Sequence, residues 1–349
     1  MWIFALEFAP DDRWLLSGTS AGELVCWDID SAQTHLARQA GALSSVAAVS
    51  EAENDSEMVD EDDVEPAIKT RSFKAHNSCI YTLAQHREDQ LLFTGADEEI
   101  RIWRAPWADD PTAHPSPVGE IRIPQIAGVR GALSPVAETN GLAILAKQNS
   151  VVAAAGDGNT YMFDIPSQKL LRKLAGQDML HAVVTMERTG LIATGSEDGL
   201  CKLWDPRSSN QDGCVGTLDA GFNVVSALAA SDDENWLAFG GSTRDQSQGA
   251  VSMVHVASRL VTKTTLSKTS SLVQNLQFAD DHLLVAGDSP ALEFWSRNMT
   301  DTSTSVPCSA PSLFGLSYNK ATGMIAVGGS ADHIDLFSDA RDLLMSLAV

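Results

Sequence analysis

Leu191 to Arg207 reads LIATGSEDGLCKLWDPR. A short apolar run, Leu191-Ile192-Ala193-Thr194, stops at Gly195-Ser196. A second run, Leu200-Cys201-Lys202-Leu203-Trp204, alternates inward and outward residues with the period of two that marks a half-buried strand. Glu197-Asp198-Gly199 between them has turn chemistry: an Asp that bonds nearby backbone, then a Gly that tolerates positive φ. The segment is a β-hairpin closed by Trp204-Asp205. A lone hairpin cannot bury its apolar face, so one copy implies neighbours of the same kind.

The neighbours are present. Equivalents of the Trp-Asp position recur at Trp27, Trp103, Phe163, Trp204, His255, Trp295 and Phe337. Steps after Phe163 are 41, 51, 40 and 42 residues, within or near the ~40–45 of a four-stranded WD unit. The two early steps, 76 and 60, require insertions. Seven such units predict an all-β fold: a seven-bladed WD-repeat β-propeller with four-stranded antiparallel blades around a central channel. The expected domain organisation is one propeller over 1–349. Residues 31–69 form an insertion within blade one, because Glu51 to Glu65 carries nine acids in fifteen residues and no Lys or Arg. Such a run buries too little apolar surface to order itself.

The expected strands follow the same ruler. Blade one takes Ile3–Phe8, Trp14–Ser17, Glu23–Asp28 and an outer strand near Thr70–Phe73. Blade two takes Ile80–Leu83, Leu91–Gly95 and a short outer strand Glu120–Ile123. Blade three uses Leu142–Leu145, Val151–Ala155, Thr160–Phe163 and Leu170–Leu174, and blade four adds Leu180–Thr185 and Cys214–Leu218. Blade five reads as weaker, with Val225–Leu228, Trp236–Gly240 and Ala250–His255. Leu343–Leu347 is expected to be blade seven's own outer strand, so that the ring closes by packing between blades.

Strong units offer a buried relay. His76, Thr94, Asp97 and Trp103 in blade two place an imidazole, a hydroxyl, a carboxylate and an indole N–H where each needs a partner, and Thr194, Asp198 and Trp204 repeat the set in blade four. These are expected to be structural. Gly176-Gln177 stands at blade four's Gly-His place, leaving that relay short of a His.

Other patterns argue against chemistry. Gly18-Thr19-Ser20-Ala21-Gly22 matches the GxSxG letters of a nucleophile elbow, yet a strand rather than a helix follows, so Ser20 is expected in a hairpin turn. The eight His are scattered, His181 is expected as a packed or channel residue, and no zinc spacing or phosphate-cradling loop occurs. No catalytic, cofactor-binding or metal-binding residue is therefore assigned, no cofactor is expected, and the protein reads as not an enzyme. Five Cys without a CxxC pair suit a reduced compartment. The net charge of −22 opposes direct nucleic-acid binding and favours basic protein partners. No apolar run reaches the ~20 residues that span a bilayer, and no basic leader precedes the apolar start, so neither membrane nor secretion is expected.

Beyond the repeats, the chain resembles the THO complex subunit 6 family. The resemblance rests on Phe73-Lys74-Ala75-His76, Thr94-Gly95-Ala96-Asp97, the run from Gly176 to Val184 with His181, Gly195 to Gly199 leading to Trp204-Asp205 and Arg207, and Ile334 to Phe337 running on to Met345-Ser346-Leu347. It departs in the acidic Glu51–Glu65 segment and in the degenerate blades five and six. The resemblance implies a nuclear, non-catalytic adaptor of the transcription–export assembly, with other THO complex subunits as partners, coiled-coil subunits first among them. Separately, Trp204-Asp205-Pro206-Arg207 resembles the WDxR docking box of cullin-4 ubiquitin-ligase receptors. That likeness makes Asp205 and Arg207 candidates for docking the ligase adaptor; the plain alternative is a local ion pair at a strand end.

Overall fold

Alternation of apolar and polar residues over five to seven positions, punctuated by Gly and Asp turns, yields the same four-stranded meander seven times. The computed structural model describes residues 1–31, 70–97, 99–108, 115–125, 136–176, 178–208, 213–280, 282–296, 299 and 304–348. The expectation of disorder over 31–69 falls, apart from Ser31, outside the described residues.

Blade one comprises β1 (Ile3–Phe8), β2 (Trp14–Thr19), β3 (Glu23–Asp28) and β4 (Thr70–Lys74). Blade two follows with β5 (Thr82–His86), β6 (Leu91–Gly95), β7 (Ile100–Arg104) and β8 (Gly119–Ile121). Blade three holds β9 (Thr139–Leu145), β10 (Ser150–Ala155), β11 (Thr160–Asp164) and β12 (Leu170–Leu174). Blade four, the reference hairpin, is β13 (Leu180–Met186), β14 (Leu191–Ser196), β15 (Leu200–Trp204) and β16 (Cys214–Asp219). Blade five contains β17 (Phe222–Ala230), β18 (Trp236–Thr243), β19 (Gly249–His255) and β20 (Leu260–Leu266). Blade six is β21 (Val273–Ala279), β22 (His282–Gly287), β23 (Ala291–Ser296) and β24 (Thr304–Pro307). Blade seven ends the chain with β25 (Leu313–Asn319), β26 (Met324–Gly329), β27 (His333–Phe337) and β28 (Leu343–Ala348). Each sheet is a simple four-strand meander, and the seven together make the β-propeller.

Two sequence expectations are corrected by register. In blade two the inner strand is Thr82–His86 rather than Ile80–Leu83; Ile80 instead bonds back to Thr19 of blade one through its N–H. In blade five Leu237 pairs with Val254, and His255 with Trp236. Trp204 pairs with Ile192 and Trp295 with Leu283, the equivalents of Leu237. The Trp place of blade five is therefore held by the fully buried Val254, and His255 lies one residue beyond it, edge-on to the Trp236 ring at 5.2 Å. Period-two alternation tolerates no such slip, because one residue reverses the face. Blade five also has the longest strands of the seven, nine and eight residues in β17 and β18; weak sequence identity to the repeat did not mean a weak sheet.

The core lies between blades rather than within them. Ile3, Phe8, Leu15 and Trp27 of blade one pack with Met324, Ala326, Ile334 and Leu347 of blade seven. The Phe8 N–H donates to Ser317 Oγ at 3.3 Å across that seam. β28 pairs only with β27, so the ring closes by packing and not by an exchanged strand.

Inner strands β1, β13, β17, β21 and β25 are bulged near their start. Register shifts fall between Ile3 and Ala5, Leu180 and Ala182, Phe222 and Val224, Val273 and Asn275, and Leu313 and Gly315. A bulge leaves one residue unpaired and re-aims its side chain. Phe4, His181, Gln274 and Phe314 are such residues, and all four line the central channel, whose volume is about 530 Å³. Among the described residues no helix is long and apolar enough to cross a membrane.

Candidate functional site

Hydroxyl groups on second strands hold the indoles of third strands. Trp204 is buried in the seam with blade three among Leu145, Val152 and Leu174. Burial of so large an apolar group contributes roughly 3 kcal/mol, but its N–H must still be satisfied. It donates to Thr194 Oγ1 at 2.8 Å. Trp103 donates to Thr94 Oγ1 at 3.0 Å and Trp27 to Ser17 Oγ at 3.2 Å.

In blade two the relay extends to the imidazole. Thr94 Oγ1 lies 2.6 Å from His76 Nε2. The Thr94 hydroxyl, with one proton to give and two lone pairs, serves the indole and the imidazole together. The ring is 2% exposed, and desolvation, reinforced by the charge of Arg101, pulls its pKa down to about 4. The remaining ring nitrogen, Nδ1, faces Glu99 at 3.8 Å.

The two aspartates expected in these relays stand elsewhere. Asp97 sits in the turn before β7, where its N–H donates to Ser78 Oγ and its charge adds to burial in pushing the Tyr81 hydroxyl above its ordinary pKa. Asp198 caps the hairpin turn, accepting the Leu200 N–H at 2.9 Å. Asp198 is satisfied within its own turn and Asp97 is only partly buried, so neither needs to reach the buried hydroxyl. Glu99 takes the place beside His76 and also pairs with Arg101 and Arg122.

Blades five, six and seven move the polar group to the third strand. Thr194 pairs with Lys202; its equivalents Phe239, Val285 and Val327 pair with Ser252, Glu293 and Asp335. In these three blades the second strand is apolar and the third polar. Glu293, 1% exposed, accepts the Trp295 indole at 2.7 Å, the Thr269 N–H at 3.0 Å and the hydroxyls of Ser267 and Thr269. Asp335 accepts the Ser309 N–H at 2.6 Å, its hydroxyl at 2.8 Å and that of Ser346. The signal was in the sequence: an acid two residues before Trp295 or Phe337 shares that residue's buried face.

The Trp-Asp-Pro-Arg corner lies on the opposite, lower rim, where third strands end. Asp205 Oδ1 accepts both the Arg207 N–H and Nε at 2.9 Å, and Oδ2 accepts Nη2 at 3.1 Å. Arg207 Nη2 also donates to the Thr189 carbonyl at 2.8 Å. The paired guanidinium holds Asp205 below the usual carboxylate range. The Arg207 side chain remains 61% exposed, a fork fixed in orientation yet open to solvent.

Ser20 occupies the β2–β3 turn. Its N–H donates to the Trp2 carbonyl and its hydroxyl accepts the Trp2 N–H at 3.1 Å. A strand follows, not the helix an elbow demands. The five cysteines are unpaired, and burial pushes the Cys26 thiol up to about 12. Among the described residues no group of three His, Cys, Asp or Glu side chains converges as a metal site.

Comparison with known proteins agrees with this architecture. The WD domain, G-beta repeat family matches residues 1–28, 68–104 and 168–205. Similar curated proteins include THO complex subunit 6 of Arabidopsis thaliana, 31% identical over 79% of this chain and 76% of the plant protein. THO complex subunit 6 of Homo sapiens is 24% identical over all of this chain and 93% of its own length. The Danio rerio homolog is 25% identical over all of this chain and 97% of its own. Seven WD blades in order, with likeness along the whole ring, place the chain in the THO complex subunit 6 family of WD-repeat proteins.

Proposed function

We propose that the protein is a non-catalytic scaffold subunit of the THO complex, acting in the nucleus to couple transcription and messenger RNA processing to export by docking other THO subunits. The observation that carries this reading is the 31% identity to the plant THO complex subunit 6 over most of both chains. The geometry supports it. A ring closed through blade-to-blade cores is stiff, and exposed Leu170 and Leu171 on β12, Leu260 and Val261 on β20, and Leu343 and Leu344 on β28 put apolar ridges on the outer wall. Such ridges suit the apolar stripe of a coiled-coil helix. Affinity purification of the tagged full chain from nuclear extract is expected to recover other THO subunits; recovery without any of them overturns the reading.

A second reading is favoured by the Arg207 fork, exposed and pre-oriented by Asp205. It assigns this corner to the adaptor of a cullin-4 ubiquitin ligase. Arg207→Ala then abolishes adaptor co-purification while the THO subunits are retained, and unchanged adaptor recovery ends this version.

A further inference from the structure

Four aromatic side chains gather at one mouth of the channel, the mouth at which the inner strands begin. Phe4 and Phe314, contributed by bulges 310 residues apart, stack with centroids 5.1 Å apart and planes 9° from parallel. Trp2 leans on both at 6.2 Å, and Tyr81 meets Phe4 edge-on at 6.1 Å. Trp2 is 51% exposed, the most open tryptophan among the described residues. Large aromatics are normally buried, and here the ring face is presented rather than hidden.

Carboxylates surround the aromatics. Asp97 and Glu138 stand beside Tyr81: the Tyr81 N–H donates to the Gly95 carbonyl at 2.9 Å, the Thr139 N–H donates to the Ala96 carbonyl at 3.1 Å, and both carboxylates act on the Tyr81 hydroxyl by charge. Glu197 acts in the same way on His181. Deeper along β1, Glu7 faces the channel, and no Lys or Arg stands among the residues that line it. An aromatic face offers its negative quadrupole to a cation, and nearby carboxylates add charge without competing for the ring.

We propose that this mouth binds a cationic side chain, Arg or Lys, projecting from an extended basic segment of a protein partner. The ammonium or guanidinium group lies over the Trp2 ring, with Asp97 and Glu138 as counter-charges at the channel mouth. Nucleic acid fits poorly, since a phosphate chain would meet these carboxylates and a net charge of −22. The site lies on the face opposite Arg207 and away from the outer wall, so it goes beyond subunit docking there and does not depend on it.

The test uses the full-length chain and a fluorescein-labelled peptide, Gly-Ser-Gly-Arg-Lys-Arg-Gly-Ser-Gly, followed by anisotropy. Saturable binding is expected that weakens several-fold between 50 and 300 mM salt (on the order expected for exposed charges). Trp2→Ala should weaken it at least about tenfold and Trp2→Tyr only a few-fold, because a smaller ring face remains. Asp97→Asn and Glu138→Gln should each cost about threefold. Variants with Arg or Lys alone at the three basic positions report which cation is preferred. Equal binding by Trp2→Ala, by a peptide with Glu at the basic positions, or by oligouridylate overturns the proposal, as does no binding at all. Recovery of THO subunits by the Trp2→Ala chain separates this outcome from that of the scaffold reading.

Discussion

Trp295 donates its indole N–H to Glu293, two residues earlier on the same strand, at 2.7 Å, whereas Trp204 donates to Thr194 on the neighbouring strand at 2.8 Å. One requirement, a buried indole N–H, is met from two directions. What decides is where a blade keeps its polar side chain: on the second strand in blades one, two and four, on the third in blades six and seven.

The two arrangements differ in the number of donors they satisfy. Thr194→Val orphans one indole and should destabilise by about 1–3 kcal/mol. Glu293→Ala orphans the indole together with the donors of Ser267 and Thr269 and should cost more, about 3–5 kcal/mol. Urea denaturation of the two variants checks the order; a larger loss for Thr194→Val would contradict it.

His76 makes stability depend on acid. Its folded pKa of about 4 lies below the unfolded 6.5, so the unfolded chain binds more protons between those values. The contribution is fully present above pH 6.5 and is lost as pH falls toward 4, at up to about 1.4 kcal/mol per pH unit. Denaturation midpoints between pH 7 and 4.5 should fall less steeply for His76→Asn than for the unaltered chain.

Glu7 acts with the opposite sign. Burial in the channel wall raises its pKa to about 7, with Arg87 opposing. The folded state therefore binds more protons between 4.5 and 7, and this contribution is lost as pH rises through 7. Glu7→Gln should stabilise the protein at pH 8 by about 1–2 kcal/mol, channel solvent screening the rest, and should be neutral near pH 4. Calorimetry at both pH values reads the difference.

Gly199 in the β14–β15 turn has φ 77°, and a Cβ there would lie 2.3 Å from the Phe222 carbonyl oxygen of blade five. Gly199→Ala should destabilise by about 1–3 kcal/mol from backbone strain alone. Thermal melts compared with those of an alanine variant at Gly221, where φ is 77° and a Cβ would meet nothing within 4 Å, separate the clash from the strain.

The sequence by itself determined the hairpins, the number of blades and the Trp103–Thr94 and Trp204–Thr194 bonds, because alternation, turn glycines and a buried N–H seeking a hydroxyl act within one or two strands. Only the tertiary structure decided that Val254 and not His255 fills blade five's Trp place, that Glu99 and not Asp97 stands beside His76, and that Phe4 and Phe314 meet. Register is fixed by which face the adjoining blade buries. Phe4 and Phe314, each at a bulge within its own hairpin, reach one channel mouth only when seven sheets stand around a common axis, a constraint that no local stretch of chain carries.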